Sequence, residues 1–174
     1  GAVGCILIMG IILVIDFFDN TVKSSESLTS RYQKAVIGEI QQFGGEKKRK
    51  KGEEDSHTKL TDKSMPFHII ESYKSIRTNV MFALSTSGKK IFPVSSANPS
   101  EGKSTVSANI AITMAQSENK VLLIDADLRK PVQHKIFDVE NKKGLSTAIS
   151  KMHPLDECIC KNVMENLDVI PSGS

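Results

Sequence analysis

The nine residues A-N-P-S-E-G-K-S-T, at positions 97–105, have the types and spacing best suited to chemistry in this chain. Phosphate groups are held where backbone N–H groups converge in a small loop before a helix, at the positive end of its dipole. Gly102 lets the backbone approach phosphates, Lys103 can reach the β- and γ-phosphates, and Ser104 can ligate Mg²⁺. The predicted ATP- or ADP-binding residues are Ala97, Ser100, Glu101, Gly102, Lys103, Ser104 and Thr105.

One position of this loop departs from the strict pattern G-x-x-x-x-G-K-[ST], because Ala97 stands where the pattern has glycine. A bare G-K-[ST] is common by chance, but it is much rarer between a strand and a helix. Here Ile91–Ser96 reads as a strand and Val106–Gln116 as a helix. The setting of the motif therefore favours nucleotide binding.

Two carboxylates follow the next apolar run, Lys120–Ile124, which is typical of a buried parallel strand. Ligands of α/β proteins bind at the carboxyl ends of such strands. A carboxylate there can hold Mg²⁺ or accept the proton of an attacking hydroxyl. We predict that Asp125, Asp127 and Lys103 are catalytic. The two acids would also ligate the metal together with Ser104; the alternative is that they only cap the loop.

The surrounding residues indicate the elements that position these groups. Apolar residues recur at three- and four-residue steps and predict an amphipathic helix ending near Gly88: Ile69, Tyr73, Ile76, Val80 and Leu84. Pro93 lacks the N–H that a central strand needs, so we expect a bulge or an unpaired position there. The order of strand, loop, helix and strand predicts an α/β fold for residues 64–174. This fold would be a P-loop NTPase-like parallel sheet with flanking helices, incomplete in this chain.

The N-terminal residues 1–18 have the composition of a membrane segment. Gly1–Ile15 carries no charge and would span about 22 Å as a helix, less than the ~30 Å hydrocarbon core. The basic region of a signal peptide and the polar stripe of a soluble helix are both missing. Phe17 and Phe18 suit the membrane interface. We predict the end of a transmembrane helix, with the lysines and arginines that follow it in the cytoplasm.

Residues 44–63 are predicted to form a disordered linker. Twelve of these twenty residues are charged, and Leu60 is the only large apolar one, so little apolar surface can be buried. The run Lys47–Lys51 could contact anionic lipid. The net charge of +3 comes mostly from this run, and a nucleic-acid partner is not predicted.

The two chemical motifs resemble those of the bacterial tyrosine kinases of the polysaccharide co-polymerase type. The resemblance covers about residues 67–174 and rests on A-N-P-S-E-G-K-S-T followed by V-L-L-I-D-A-D-L-R-K-P. It implies an ATP- and Mg²⁺-dependent protein-tyrosine kinase that phosphorylates itself and other proteins. The family's E-x-x-R-x-x-R subunit contact corresponds to Glu71, Lys74 and Arg77, and implies a ring-like homo-oligomer. Lysine at the middle position cannot form a bidentate fork, and solvated helix charges are the alternative.

Residues 19–43 resemble the cytoplasmic end of Wzz-type chain-length regulators. The matching segments are D-N-T-V-K at 19–23 and V-I-G-E-I at 36–40, for which the family implies a polar helix followed by a short strand. The combination implies a kinase anchored in the inner or plasma membrane with its catalytic part in the cytoplasm. Its implied partners are the export and polymerase machinery of a capsular polysaccharide or exopolysaccharide.

Two family features are not found in this sequence. After Arg129 there is no apolar strand ending in aspartate, the third nucleotide motif, and Tyr32 and Tyr73 are the only tyrosines. We therefore expect a piece truncated at both ends, which binds nucleotide but has little activity alone. Two alternatives stay open: a partition- or septum-type ATPase switch, and a non-catalytic chain-length regulator. The switch ATPases usually carry an extra lysine early in the loop, and Ala97–Ser100 has none.

Overall fold

The computed structural model describes residues 9–10, 25–41, 59–62 and 65–174. The chain divides into two compact units, residues 1–39 and 40–174. In the first unit, helix α1 spans Ser25–Tyr32, which agrees with the expected polar helix. The strand expected at Val36–Ile40, across the boundary of the two units, is not formed, since no described strand pairs with these residues.

The predicted transmembrane segment lies outside the described residues, apart from the helical Met9 and Gly10. Over the portion of the chain that the structure describes, no helix combines the length and the apolar character needed to cross a bilayer. Most of the predicted linker, residues 44–58 together with 63, also lies outside the described residues.

Helix α2 spans Phe67–Ser87 and confirms the helix predicted from apolar periodicity. Its buried positions are four of the residues that set that period: Ile69, Tyr73, Ile76 and Val80. The helix ends where Gly88 adopts a left-handed conformation with φ of 65°. Gly88 and Lys89 then donate backbone N–H groups to carbonyls of the last turn, a common way to end a helix.

Helix α3, Lys103–Ala115, forms the centre of the second unit. It packs against α2 on one side and against the sheet on the other, which is why every residue of Ala108–Ala115 is buried. A helix enclosed in this way carries apolar residues around its whole circumference rather than in one stripe. The helix predicted over Val106–Gln116 is thus confirmed, and its first turn is formed by the G-K-S-T residues.

Three strands form the sheet: β1 (Val121–Ile124), β2 (Cys160–Met164) and β3 (Leu167–Ile170). Strand β3 lies in the middle, parallel to β1 and antiparallel to β2. The strand predicted at Lys120–Ile124 is therefore confirmed over residues 121–124, parallel to β3. It is not buried as expected, since Leu122 and Ile124 are each 46% exposed, and the sheet is mixed rather than wholly parallel. Helices α4 (Gln133–Phe137) and α5 (Leu145–Ile149) and the 3₁₀ helix Leu155–Cys158 connect β1 to β2.

The strand predicted at Ile91–Ser96 is wrong as a hydrogen-bonded strand. The segment is extended and Phe92 packs partly against the core, but no ladder hydrogen bonds form and Ile91 is 85% exposed. Two physical reasons account for this: no described strand lies alongside it, and Pro93 has no N–H to donate. The extended backbone still leads directly into the phosphate-binding motif.

The last residues of the predicted linker pack on α3. Leu60 is 6% exposed, and its backbone N–H donates to Oδ1 of Asn109 at 2.9 Å. Asp62 accepts the N–H of Lys59 at 2.8 Å and closes a turn before the nearby Met65, which is also buried. The single large apolar residue of residues 44–63 is thus part of the core, and the boundary at residue 64 stays a prediction.

Candidate nucleotide-binding site

The phosphate loop, defined here as residues 97–102, owes its turn into α3 to two residues in the left-handed region. Gly102 has φ of 84° and Ser100 has φ of 63°. A Cβ added to Gly102 would meet nothing within 4 Å, so glycine is favoured there for its conformation rather than for space. The carbonyl of Gly102 accepts the N–H of Val106 at 2.9 Å, which begins the helix.

Glu101 closes the phosphate loop on itself. Its carboxylate accepts the backbone N–H of Asn98 at 3.1 Å and the Asn98 side-chain amide at 2.8 Å. These bonds, the backbone one first, lower the pKa of Glu101 below its ordinary value. Ser96 donates its hydroxyl to the carbonyl of the same asparagine at 3.0 Å. Glu101 therefore shapes the loop, a role that its place in the motif does not by itself indicate.

The first turn of α3 presents the functional side chains of the motif. Lys103, Ser104 and Thr105 are half-buried, while Ala97 and Ser100 are exposed in the loop before them. The first backbone N–H groups of a helix have no partners within the helix, and they carry the positive end of its dipole. This turn can therefore receive an anion, and Lys103 adds a cation beside it.

Lys103 brings the two sequence motifs together. Its Nζ donates to Oδ2 of Asp127 at 2.5 Å, with the two side chains 36% and 25% exposed. Oδ1 of Asp127 accepts the backbone N–H groups of Arg129 and Lys130 at 3.2 and 3.0 Å. The Lys103 ammonium, followed by the Lys130 N–H, lowers the pKa of Asp127. Asp127 is therefore an ionised carboxylate beside the phosphate loop.

Asp125 has a different environment, although it lies only two residues away. It is 5% exposed, and Oδ1 accepts the N–H of Asp127 at 3.1 Å. Oδ2 accepts the N–H groups of Val132 and Gln133 at 3.2 and 3.1 Å. These bonds fold residues 125–133 into what we call the aspartate loop. They give the loop-capping alternative a physical basis, and the catalytic role of Asp125 stays a prediction.

Gln133 is a site residue that the sequence did not reveal. It is 3% exposed, and its side-chain amide donates to the carbonyl of Ser104 and the hydroxyl of Ser107, both at 3.0 Å. A glutamine in a five-residue helix carries no local signal of such a role. Its position six residues after Asp127 is the only hint that the chain offers.

The carboxyl end of β3 lies next to the carboxyl end of β1, beside the site. Ile170 accepts the N–H of Asp125 at 2.9 Å, and the following Pro171 accepts the N–H of Leu145 at 2.8 Å. A Cβ on Gly144 would lie 2.2 Å from the Pro171 oxygen, so residues 144–146 fit against residues 171–173 only with glycine there. The bond from Asp125 to Ile170 keeps the carboxyl ends of the parallel strands β1 and β3 next to each other.

The side-chain oxygen atoms near Lys103 are suitable ligands for a magnesium ion. The described residues contain no cluster of three or more His, Cys, Asp or Glu side chains that could hold a metal ion. Mg²⁺ is usually held by one or two carboxylates together with phosphate oxygens and water. Ser104 and Asp127 supply hard oxygen atoms of this kind. Strand β3 ends at Ile170 rather than at an acid, and Asp168 within it accepts the N–H of Asn162 at 2.7 Å.

The three residues predicted as a subunit contact are not equivalent. Glu71 and Lys74 pair with each other at 2.8 Å on the exposed surface of α2. Arg77 donates instead to the carbonyl of Thr113 in α3, at 3.3 Å. Part of the Arg77 guanidinium therefore serves packing within the chain, and the oligomer contact stays a prediction.

The site region matches known proteins in both sequence and structure. Residues 89–174 match a family model described as an AAA domain. Tyrosine-protein kinase YwqD of Bacillus subtilis is 45% identical over 103 residues, covering 59% of this chain and 44% of that protein. The kinase domain of the Escherichia coli tyrosine kinase ETK superposes with a TM-score of 0.71 at 30% identity, covering 88% of this chain and 60% of that one. This region is homologous to bacterial tyrosine-protein kinases.

The tyrosine-kinase homology confirms the resemblance seen in the motifs, and the P-loop NTPase-like α/β fold is confirmed with it. The putative tyrosine-protein kinase CapB of Staphylococcus aureus is a further relative, 42% identical over 105 residues that cover 60% of this chain and 46% of CapB. The chain thus spans less than half the length of these two curated kinases.

Proposed function

We propose that this chain is the nucleotide-binding part of a membrane-anchored, ATP-dependent protein-tyrosine kinase. The observation that carries the proposal is the pair formed by Lys103 and Asp127 at the carboxyl end of β1. It joins both nucleotide motifs in a region homologous to tyrosine-protein kinases. The substrates would be tyrosine-bearing proteins, including the kinase itself.

The proposed roles follow from the positions of the groups. The amides of the first turn of α3 and Lys103 would hold the β- and γ-phosphates, and Ser104 and Asp127 would hold Mg²⁺. When bound, Mg²⁺ neutralises charge that develops on the phosphates. A tyrosine hydroxyl, with a pKa near 10, stays protonated at neutral pH and benefits from a carboxylate acceptor. Asp125 is proposed for that role, with Asp127 on the metal side.

The wider setting is also proposed from the sequence pattern. Residues 1–18 would end a transmembrane helix that places the kinase part on the cytoplasmic side of the inner or plasma membrane. Glu71, Lys74 and Arg77 would contribute to a ring-like homo-oligomer, the first two from the exposed surface of α2. The proposed process is assembly of a capsular polysaccharide or exopolysaccharide, through contact with its export and polymerase machinery.

Membrane attachment is tested by fractionation of the full-length natural protein with and without residues 1–18. Attachment by the apolar segment should survive a salt wash, whereas attachment by basic residues alone should be released, because salt screens charge. Equal, salt-resistant membrane binding after the deletion would contradict the proposed anchor.

Nucleotide binding is tested with Lys103→Met in the 174-residue chain. The ammonium beside the loop amides should have no substitute, so affinity for ADP–Mg should fall at least tenfold, about 1.4 kcal/mol. Calorimetry measures this, with Lys161→Met as the matched control because Lys161 is exposed on β2. Equal affinities for Lys103→Met and wild type would remove Lys103 from the site.

Kinase activity is tested on the full-length natural protein with ATP–Mg and an anti-phosphotyrosine time course. We expect phosphotyrosine to accumulate in the wild type and not in Lys103→Met. Nucleotide hydrolysis without any tyrosine phosphorylation would instead favour a switch ATPase, and nucleotide binding without either reaction would favour a non-catalytic chain-length regulator.

A further inference from the structure

Two links join the first turn of α3 to the aspartate loop. One is the ion pair between Lys103 and Asp127, whose side chains are both partly exposed. The other is the side-chain amide of Gln133, which is 3% exposed. The two links differ in how they relate to a bound nucleotide, because they use different groups of the helix.

The amide of Gln133 has one defined orientation. Its Nε2 donates to the carbonyl of Ser104 and to the hydroxyl of Ser107, and that hydroxyl donates in turn to the Ser104 carbonyl at 3.0 Å. Turning the amide over would place Oε1 against the Ser104 carbonyl oxygen, which is also an acceptor. The backbone N–H of Gln133 binds Asp125 at the same time. A single residue therefore ties the helix to the aspartate that folds the loop.

The ion pair competes with nucleotide binding, whereas the amide link does not. The ammonium of Lys103 is the group expected to hold phosphate, so contact with phosphate weakens or replaces its contact with Asp127. Gln133 uses a main-chain carbonyl and the Ser107 hydroxyl, and neither group is part of the predicted phosphate or metal site. The amide link can thus stay in place while Lys103 changes partner.

We propose that Gln133 is a positioning residue. It fixes the aspartate loop to the first turn of α3, so that Asp127 stays next to that turn and to the predicted metal site when Lys103 turns to the phosphates. The inference rests on the proposed nucleotide binding. It goes further because it gives a role to a residue outside both motifs. Gln133 would support the part of the nucleotide affinity that depends on Mg²⁺.

Gln133→Met is the variant that isolates this role. Methionine has a similar length and fills the same space without an amide. The variant also removes Oε1, which is buried and has no hydrogen-bond partner among the described residues. The Ser104 carbonyl keeps its bond from Ser107. We therefore expect the thermal unfolding midpoint to stay within about 3 °C of the wild type.

The test measures the affinity of the 174-residue chain for a fluorescent ADP analogue, with and without Mg²⁺. Without the metal, Gln133→Met should bind within about twofold of the wild type. With Mg²⁺ it should bind about tenfold more weakly, the usual scale when a group that positions metal ligands is removed. Gln116→Met is the matched control, because Gln116 is exposed at the other end of α3. It should match the wild type in both conditions.

The remaining outcomes separate the inference from the proposed function. Wild type that binds no nucleotide would overturn both. Wild type that binds, with Gln133→Met equal to it in both conditions or weakened equally in both, would overturn the inference alone. Ser107→Ala gives a second route if Gln133→Met does not fold. It removes one acceptor of the amide and should lower only the Mg²⁺-dependent affinity; no change there would also overturn the inference.

Discussion

The phosphate loop and the aspartate loop meet at one edge of the sheet, yet backbone conformation and carboxylate hydrogen bonds contribute to them in different proportions. Residues 97–102 are exposed and turn through left-handed positions at Ser100 and Gly102. In the aspartate loop, by contrast, Asp125 and Asp127 accept five backbone N–H groups of their own loop. Left-handed backbone positions and the single carboxylate of Glu101 shape the exposed phosphate loop. Two carboxylates fold the aspartate loop around them.

The position of each acid relative to β1 explains why the two carboxylates differ. Asp125 directly follows the strand and is itself buried, and its N–H still pairs with the carbonyl of Ile170. Asp127 comes two residues later, where the chain has left the sheet and Lys103 can reach it. A carboxylate at the end of a parallel strand can therefore serve the fold, and its neighbour the ligand.

Among the changes that test the difference between the two carboxylates, Asp125→Asn should have the largest effect. Asparagine offers one acceptor oxygen where the carboxylate offers two, so a buried N–H of the loop loses its partner at a cost of about 1–3 kcal/mol. In the full-length natural protein, tyrosine phosphorylation should fall by ~10²-fold or more. Nucleotide binding without Mg²⁺ should survive, because the phosphate loop is untouched. Urea unfolding and an anti-phosphotyrosine time course measure the two effects.

The matched control is Asp156→Asn, which changes an exposed aspartate of the 3₁₀ helix in the same way. It should leave unfolding and phosphorylation as in the wild type. If Asp125→Asn lowers phosphorylation without any loss of stability, the carboxylate acts on the reacting groups more than on the loop. If it changes neither, Asp125 has neither role.

Periodicity and motif spacing predicted much of this arrangement. Helix α2, helix α3 and strand β1 follow from apolar patterns, and the rule for parallel strand ends placed Asp127 near Lys103. The burial of Leu60 could not be predicted, because it depends on a hydrogen bond to Asn109, 49 residues away. The role of Gln133 could not be predicted for the same reason, since the groups that its side chain binds lie in α3, far from it in the sequence.

Gly102→Ala tests whether the phosphate loop depends on left-handed backbone conformations, and its effect on stability should be moderate. Alanine in the left-handed region costs about 1–2 kcal/mol, and with no atom within 4 Å of the new Cβ no clash adds to this. Ser100→Gly is the opposite change at a position that is also left-handed, so it should stabilise the chain by up to about 1 kcal/mol. Urea unfolding of both variants measures the pair. Equal stability of all three chains would mean that the loop does not need these conformations.

The acid titration of Asp127 should give the smallest effect, since water screens a partly exposed ion pair. Lys103 holds the pKa of Asp127 below its ordinary value. The stability that this carboxylate contributes is therefore fully present above about pH 4 and is lost as the pH falls through the lowered pKa. In Lys103→Met the pKa should return towards its ordinary value, and this part of the pH dependence should shrink. Carboxyl NMR titration, together with thermal unfolding between pH 2 and 7, measures both. If Asp127 titrates at the same pH in Lys103→Met and in the wild type, the ammonium is not what stabilises the charged carboxylate, and the aspartate loop sets that pKa through its backbone N–H groups alone.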